Sequence, residues 1–164
     1  MTDFAIRPYA PADAEACTRI FDQAWHAGHP YAPRIIEAAE FSADTRNETV
    51  LVAEVPGHGV AGFVSVYEPE KFVHNLYVEP DLHGRGIGRA LLAHAVALAG
   101  GTASLKCQAR AAQALAFYRH LGWTPGEEGE TEIGRWVRLH SPDRRDDPQR
   151  APEFPVSDGT RKSE

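Results

Sequence analysis

The sequence predicts a mixed α/β domain. Three observations point there: short alternating β-type runs, separate stretches of helical periodicity, and a glycine-dense turn joining one of those strands to a helix. No internal repeat is present.

The elements follow in order. Phe4–Tyr9 alternates like a short first strand, and Ala14, Cys17, Ile20, Phe21 and Trp25 give Pro11–His26 a helical apolar stripe. Gly28 and Pro30 end that helix, and a second one is expected over Pro33–Phe41. Thr49–Val55 and Val60–Tyr67 read as a hairpin across Pro56-Gly57-His58-Gly59. Phe72–Val78 is the next strand, followed by a helix over Gly88–Leu98, a strand over Ala103–Gln108 and a helix over Ala111–His120. Two final strands cover about Trp123 to Leu139. The last 24 residues, Ser141–Glu164, carry eleven charges and four prolines, with only Ala151, Phe154 and Val156 apolar. Such a segment buries too little surface to offset its ordering entropy and is expected to be a disordered tail, leaving one domain over 1–140.

Composition narrows the function classes. At 164 residues with 43% hydrophobic content, the chain can bury one substantial core. A net charge of −6 argues against a general nucleic-acid binder. The opening MTDFAIRPYA has no signal-peptide core, and Ala90–Ala99, broken by His94, is too short to span a bilayer. A cytoplasmic protein with no membrane partner is the expectation. Cys17 and Cys107 lie far apart and are expected to be reduced and buried, without a disulfide.

The chemistry concentrates in Lys71–Leu92, where Gly84, Gly86 and Gly88 alternate with Arg85, Ile87 and Arg89 at a helix start. Glycines let the backbone approach a ligand closely, and the helix N-terminus presents N–H groups and a positive dipole end. That arrangement binds phosphate. Two better-known phosphate motifs do not fit. A Walker loop needs Gly-Lys-Ser/Thr where Ile87-Gly88-Arg89 stands, and a dinucleotide fingerprint needs a third glycine where Arg89 stands. The acidic residue which that fingerprint also needs downstream is replaced by Lys106 and Cys107.

Leu76-Tyr77-Val78-Glu79-Pro80 followed by His83-Gly84-Arg85-Gly86-Ile87-Gly88 resembles the best-preserved motif of the GNAT superfamily of acyl-CoA-dependent N-acyltransferases. His83 stands where the family usually has Gln or Arg. A second segment, Ala114 to Trp123, is similar to the family's A-x-x-F-Y-x-x-x-G-F pattern, with Trp123 as the last aromatic. Ala111 replaces an Asn common seven residues before the tyrosine. The resemblance implies a mostly antiparallel sheet of six or seven strands with helices on both faces, and acetyl-CoA as cosubstrate. Its pyrophosphate would lie on His83, Gly84, Arg85, Gly86, Ile87, Gly88 and Arg89. Its pantetheine arm would pair with Leu76, Tyr77 and Val78 in a gap between Phe72–Val78 and Ser104–Gln108, as an added strand.

For catalysis, the resemblance assigns Tyr118 as the acid that protonates the leaving thiolate; an ordinary phenol, with a pKa of about 10, is near an alkyl thiol. As an aromatic neighbour of Phe117 it equally suits a core. An amine acceptor must lose a proton before attack. His74, at the head of its strand, is one candidate base; Glu68 and Glu70 acting through water, or a water chain alone, are the others. Alternation would put Asn75 on the face opposite His74. The acceptor pocket is expected at Trp25, His26, His29, Tyr31 and Asn75, where aromatic faces would suit a cation. His26 and His29 lack further ligands to make a metal site, so no metal is expected. The implied function is transfer of an acetyl group to a small-molecule or peptide primary amine. The alternative is a GNAT-fold module that senses acyl-CoA without turnover. Dimers are common among proteins of this kind, so a homodimer is one state the resemblance allows.

Overall fold

β-Branched and aromatic runs bounded by glycine and proline turns form seven strands in the computed structural model, which describes residues 3–28, 41, 43, 45–132 and 134–143, without the side chains of 26–28. The strands are β1 (Ala5–Pro8), β2 (Thr49–Val55), β3 (Gly59–Tyr67), β4 (Phe72–Val78), β5 (Ser104–Gln108), β6 (Thr124–Thr131) and β7 (Gly134–His140). Helices α1 (Ala14–Gly28), α2 (Ile87–Leu98) and α3 (Ala112–His120) intervene. Short 3-10 turns over Pro11–Asp13, Glu68–Glu70 and Pro80–Leu82 were not anticipated. The expected helix over 33–41 and the tail beyond 143 lie outside the described residues, apart from helical Phe41.

One sheet runs in the order β1-β2-β3-β4-β5-β7-β6. Every neighbouring pair is antiparallel except β4 and β5. α1 covers one face: Cys17, Ile20, Phe21 and Trp25 pack with Val50, Val52 and Phe63. α2 covers the other, where Ile87, Leu91, Leu92 and Ala95 meet Leu51, Val64, Val66 and Val78. β3, central and buried on both sides, reads as a continuous apolar run for that reason. Cys17 and Cys107 are free and buried, and burial pushes their thiols up to about 12 and about 11.

Gly62 sets how closely α2 approaches. A Cβ there would lie 3.0 Å from the Tyr77 carbonyl oxygen and 3.2 Å from Leu91 Cδ1. At the far edge, β6 is exposed and carries Glu127, Glu128 and Glu130, charges that discourage edge pairing.

Candidate active site

Parallel pairing of β4 and β5 stops after two residue pairs, Phe72 with Ser104 and Val73 with Leu105. β4 continues with β3 as far as Val78, while β5 continues with β7. The two strands therefore part, and the β5-facing edge of β4 beyond Val73 has no strand partner among the described residues. An unpaired edge of this length is a template for an extended ligand.

The glycine loop expected to bind phosphate follows the end of β4. Gly84 and Gly86 take φ of 81° and 87°, and a Cβ on either would meet nothing within 4 Å. Gly86 is the N-cap of α2 and supplies no side-chain hydrogen bond to the first N–H groups of the helix. Gly88 packs instead: its Cβ would lie 3.6 Å from Phe117 and Val78. Arg85 and Arg89 are exposed beside the loop. His83 folds back, its Nε2 lying 3.0 Å from the Val78 carbonyl and its N–H 3.3 Å from the Pro80 carbonyl. Both groups close the turn. Open space over positive-φ glycines at a helix start without a side-chain cap fits a pyrophosphate.

Tyr118 projects from α3 into the α2-side core, 9% exposed, between Phe117 and Trp123 at ring separations of 5.2 and 5.8 Å. Burial raises the phenol well above the usual tyrosine value, and Cys107 of β5 and Tyr77 of β4 push it further the same way. Cys107 shares the α2-side core with Tyr118, and both neighbours belong to the two strands that part. The expected match to an alkyl thiol is corrected: before ligand binds, Tyr118 holds its proton more firmly than a thiol does. Ala111 is the α3 N-cap, with no side-chain cap bond.

His74 occupies a β-bulge. Ser65 pairs with Asn75 and Val66 with Val73, which leaves His74 as the extra residue of β4. Its Nδ1 lies 2.7 Å from Glu48 Oε2. Asn75 donates to Ser65 Oγ at 2.9 Å. Ser65 stands opposite Val50 of the α1-side cluster, and Glu48 precedes Val50 by two residues, so both bonds lie on the α1 face. Strict alternation of His74 and Asn75 is therefore corrected: the bulge turns both to one side. Glu68 instead accepts the Thr49 hydroxyl, a residue opposite Val66 of the α2-side core. The sequence reading missed Glu48, which precedes its strand without any pattern. It also missed Ser65, whose signal was a lone polar residue inside an apolar strand.

Among the aromatics, Trp25 is 8% exposed and stacks on Phe21, which meets Tyr77 edge-on at 4.9 Å. This corrects its assignment: its ring is core rather than a face for a cation. The Tyr77 ring also packs inward, so only its main chain is offered to the gap, and Leu76 packs against the α2-side core. The side chains of His26, His29 and Tyr31 lie outside the described residues.

A family model for the acetyltransferase (GNAT) domain matches residues 46–125, the stretch from Glu48 through the gap and the loop to Tyr118. That matched segment is a domain of the GNAT superfamily. Solved structures agree on the fold. YjaB from Escherichia coli is 20% identical with a TM-score of 0.69, over 84% of this chain and 97% of that one. yncA from Salmonella typhimurium, solved with its cofactor acetyl-CoA, is 21% identical with a TM-score of 0.66, over 93% and 99%. The ribosomal-protein-S18-alanine N-acetyltransferase from Escherichia coli is 21% identical with a TM-score of 0.67, over 86% and 94%. No curated protein matches the sequence. Among the described residues, no helix is long and apolar enough to cross a membrane.

Proposed function

We propose that this GNAT domain is an acetyl-CoA-dependent N-acetyltransferase acting on a primary amine. The observation that carries the reading is the parted β4–β5 pair, with a phosphate-type loop at its mouth and a buried phenol beside it. The N–H groups at the start of α2 and around Gly84 and Gly86 would hold the pyrophosphate, with Arg85 and Arg89 adding charge. The edge of β4 over Leu76–Val78 would hold the pantetheine arm, and its main-chain N–H groups would supply the oxyanion donor. Acetyl-CoA, when bound, supplies the activated acyl group.

Base and acid lie on opposite faces of the sheet. His74 stands on the α1 face, where it would take a proton from the amine. Tyr118 stands on the α2 face, where burial keeps the phenol protonated, so that it would meet the departing thiolate as a hydrogen-bond donor; full proton transfer would require ligand binding to bring its pKa back down. On this reading the amine would approach the gap from the α1 face and the thiol would leave towards the α2 face. The test is thiol release from acetyl-CoA over a panel of amines at about pH 7.5–8.5, where a neutral histidine can accept. Release with one amine class establishes the enzyme and its acceptor. Saturable CoA binding without release from any amine would favour a sensing module instead.

A further inference from the structure

We propose that Glu48 is a positioning residue for amine deprotonation, holding His74 in the tautomer whose Nε2 carries the lone pair. The inference rests on the reading of His74 as the base. An ionised carboxylate only accepts hydrogen bonds, so the 2.7 Å contact to Oε2 places the hydrogen of a neutral His74 on Nδ1. The amine's proton then passes to Nε2, giving a neutral amine and an imidazolium whose Nδ1–H stays on Glu48. The carboxylate stabilises the charge that forms on the ring, as buried carboxylates do beside catalytic histidines.

Two observations separate this role from a structural one. The Glu48 side chain is only 10% exposed, and its Oε1 is buried with no hydrogen-bond partner among the described residues. A buried carboxylate oxygen without a donor weakens a fold, so stability does not account for glutamate at this position. The bulge is the second. His74 is the residue of β4 that the ladder does not claim, and β2–β3–β4 register, through Val50, Ser65 and Asn75, sets Glu48 within reach of it. The Glu48 N–H donates to the Thr45 carbonyl at 3.0 Å, which fixes the backbone from which the carboxylate reaches.

The test uses Glu48→Met, which keeps the length and removes the acceptor, and Glu48→Gln, which keeps an acceptor oxygen. Nitrogen-15 spectra of the imidazole read the tautomer without any turnover. Expected is an Nδ1–H ring in the wild-type protein, loss of that preference in Glu48→Met, and partial retention in Glu48→Gln. With an accepted amine, kcat should fall about 10–100-fold in Glu48→Met, the range for groups that orient another ligand or base, while acetyl-CoA affinity and melting temperature hold. An unchanged tautomer, an unchanged kcat, or a collapse of melting temperature together with acetyl-CoA affinity overturns the inference. His74→Ala separates the layers. Full rate in that variant removes the base and this inference with it. A lost rate there, beside full rate in Glu48→Met, removes the Glu48 role alone.

Discussion

At the scale of single residues, two assignments are sharply exposed to experiment. Tyr118→Phe should lower kcat about 10²- to 10⁴-fold, the usual contribution of a proton donor, with CoA affinity retained in a calorimetric titration. An unchanged kcat would return Tyr118 to the packing role its neighbours Phe117 and Trp123 already suggest. Since burial raises the phenol, no alkaline loss of rate should trace to its ionisation below about pH 10; a Tyr118-dependent limb at lower pH would contradict the structure. Gly86→Glu should abolish CoA binding. The position has φ of 87° and opens onto empty space, so a side chain there is strained and sets a negative charge where phosphate would lie. Wild-type affinity in that variant would move the phosphate site elsewhere.

At the scale of elements, close approaches and clamps decide stability. Gly62 admits α2 against β3 only because it lacks a Cβ, so Gly62→Val should cost about 1–3 kcal/mol by overpacking against a carbonyl that cannot yield. Chemical denaturation reads that directly. Arg7 of β1 grips Asp13 at the start of α1 through two 2.9 Å bonds and Glu54 of β2 through a third at 2.8 Å. The Arg7 bonds hold the Asp13 carboxyl below its ordinary value, against the opposing effect of burial. A depressed acid stabilises the fold above its unfolded pKa, about 3.9, and loses that contribution as pH falls through the folded value. Asp13→Asn should therefore be less stable at neutral pH by about 1–3 kcal/mol, and the gap to wild type should close on acidification below about pH 4. A gap constant down to pH 2, measured by denaturation, would show that the ion pair carries no stability.

At the scale of the whole molecule, the gap between β4 and β5 organises the proposed site, with the Gly84–Gly88 loop at its mouth, His74 on one face and Tyr118 on the other. The C-terminal boundary is testable on the same scale. Ser141 exchanges two bonds with Ala103, at 2.8 and 2.9 Å, so removal of 144–164 should leave the melting temperature within a few degrees, whereas a cut before Ser141 should lower it further. Much of this was legible in the chain. Periodicity located the described strands and helices to within a few residues, while the expected helix over 33–41 lies outside the described residues and the short 3-10 turns leave no periodic trace. The Gly84–Gly88 loop was legible because local backbone needs, φ above zero and a helix start, are written in residue type, and the Phe117-Tyr118 pair was legible through its resemblance to the family's segment. Sequence by itself thus determined most of the described elements, the resemblance to the superfamily and the glycine loop at the start of α2. Only tertiary structure decided that Trp25 is core, that the Tyr118 phenol is buried, and that Glu48 meets His74 across 26 residues of chain. The reason is physical: burial, a strand bulge and cross-sheet register arise from residues distant in sequence, and no local pattern encodes them.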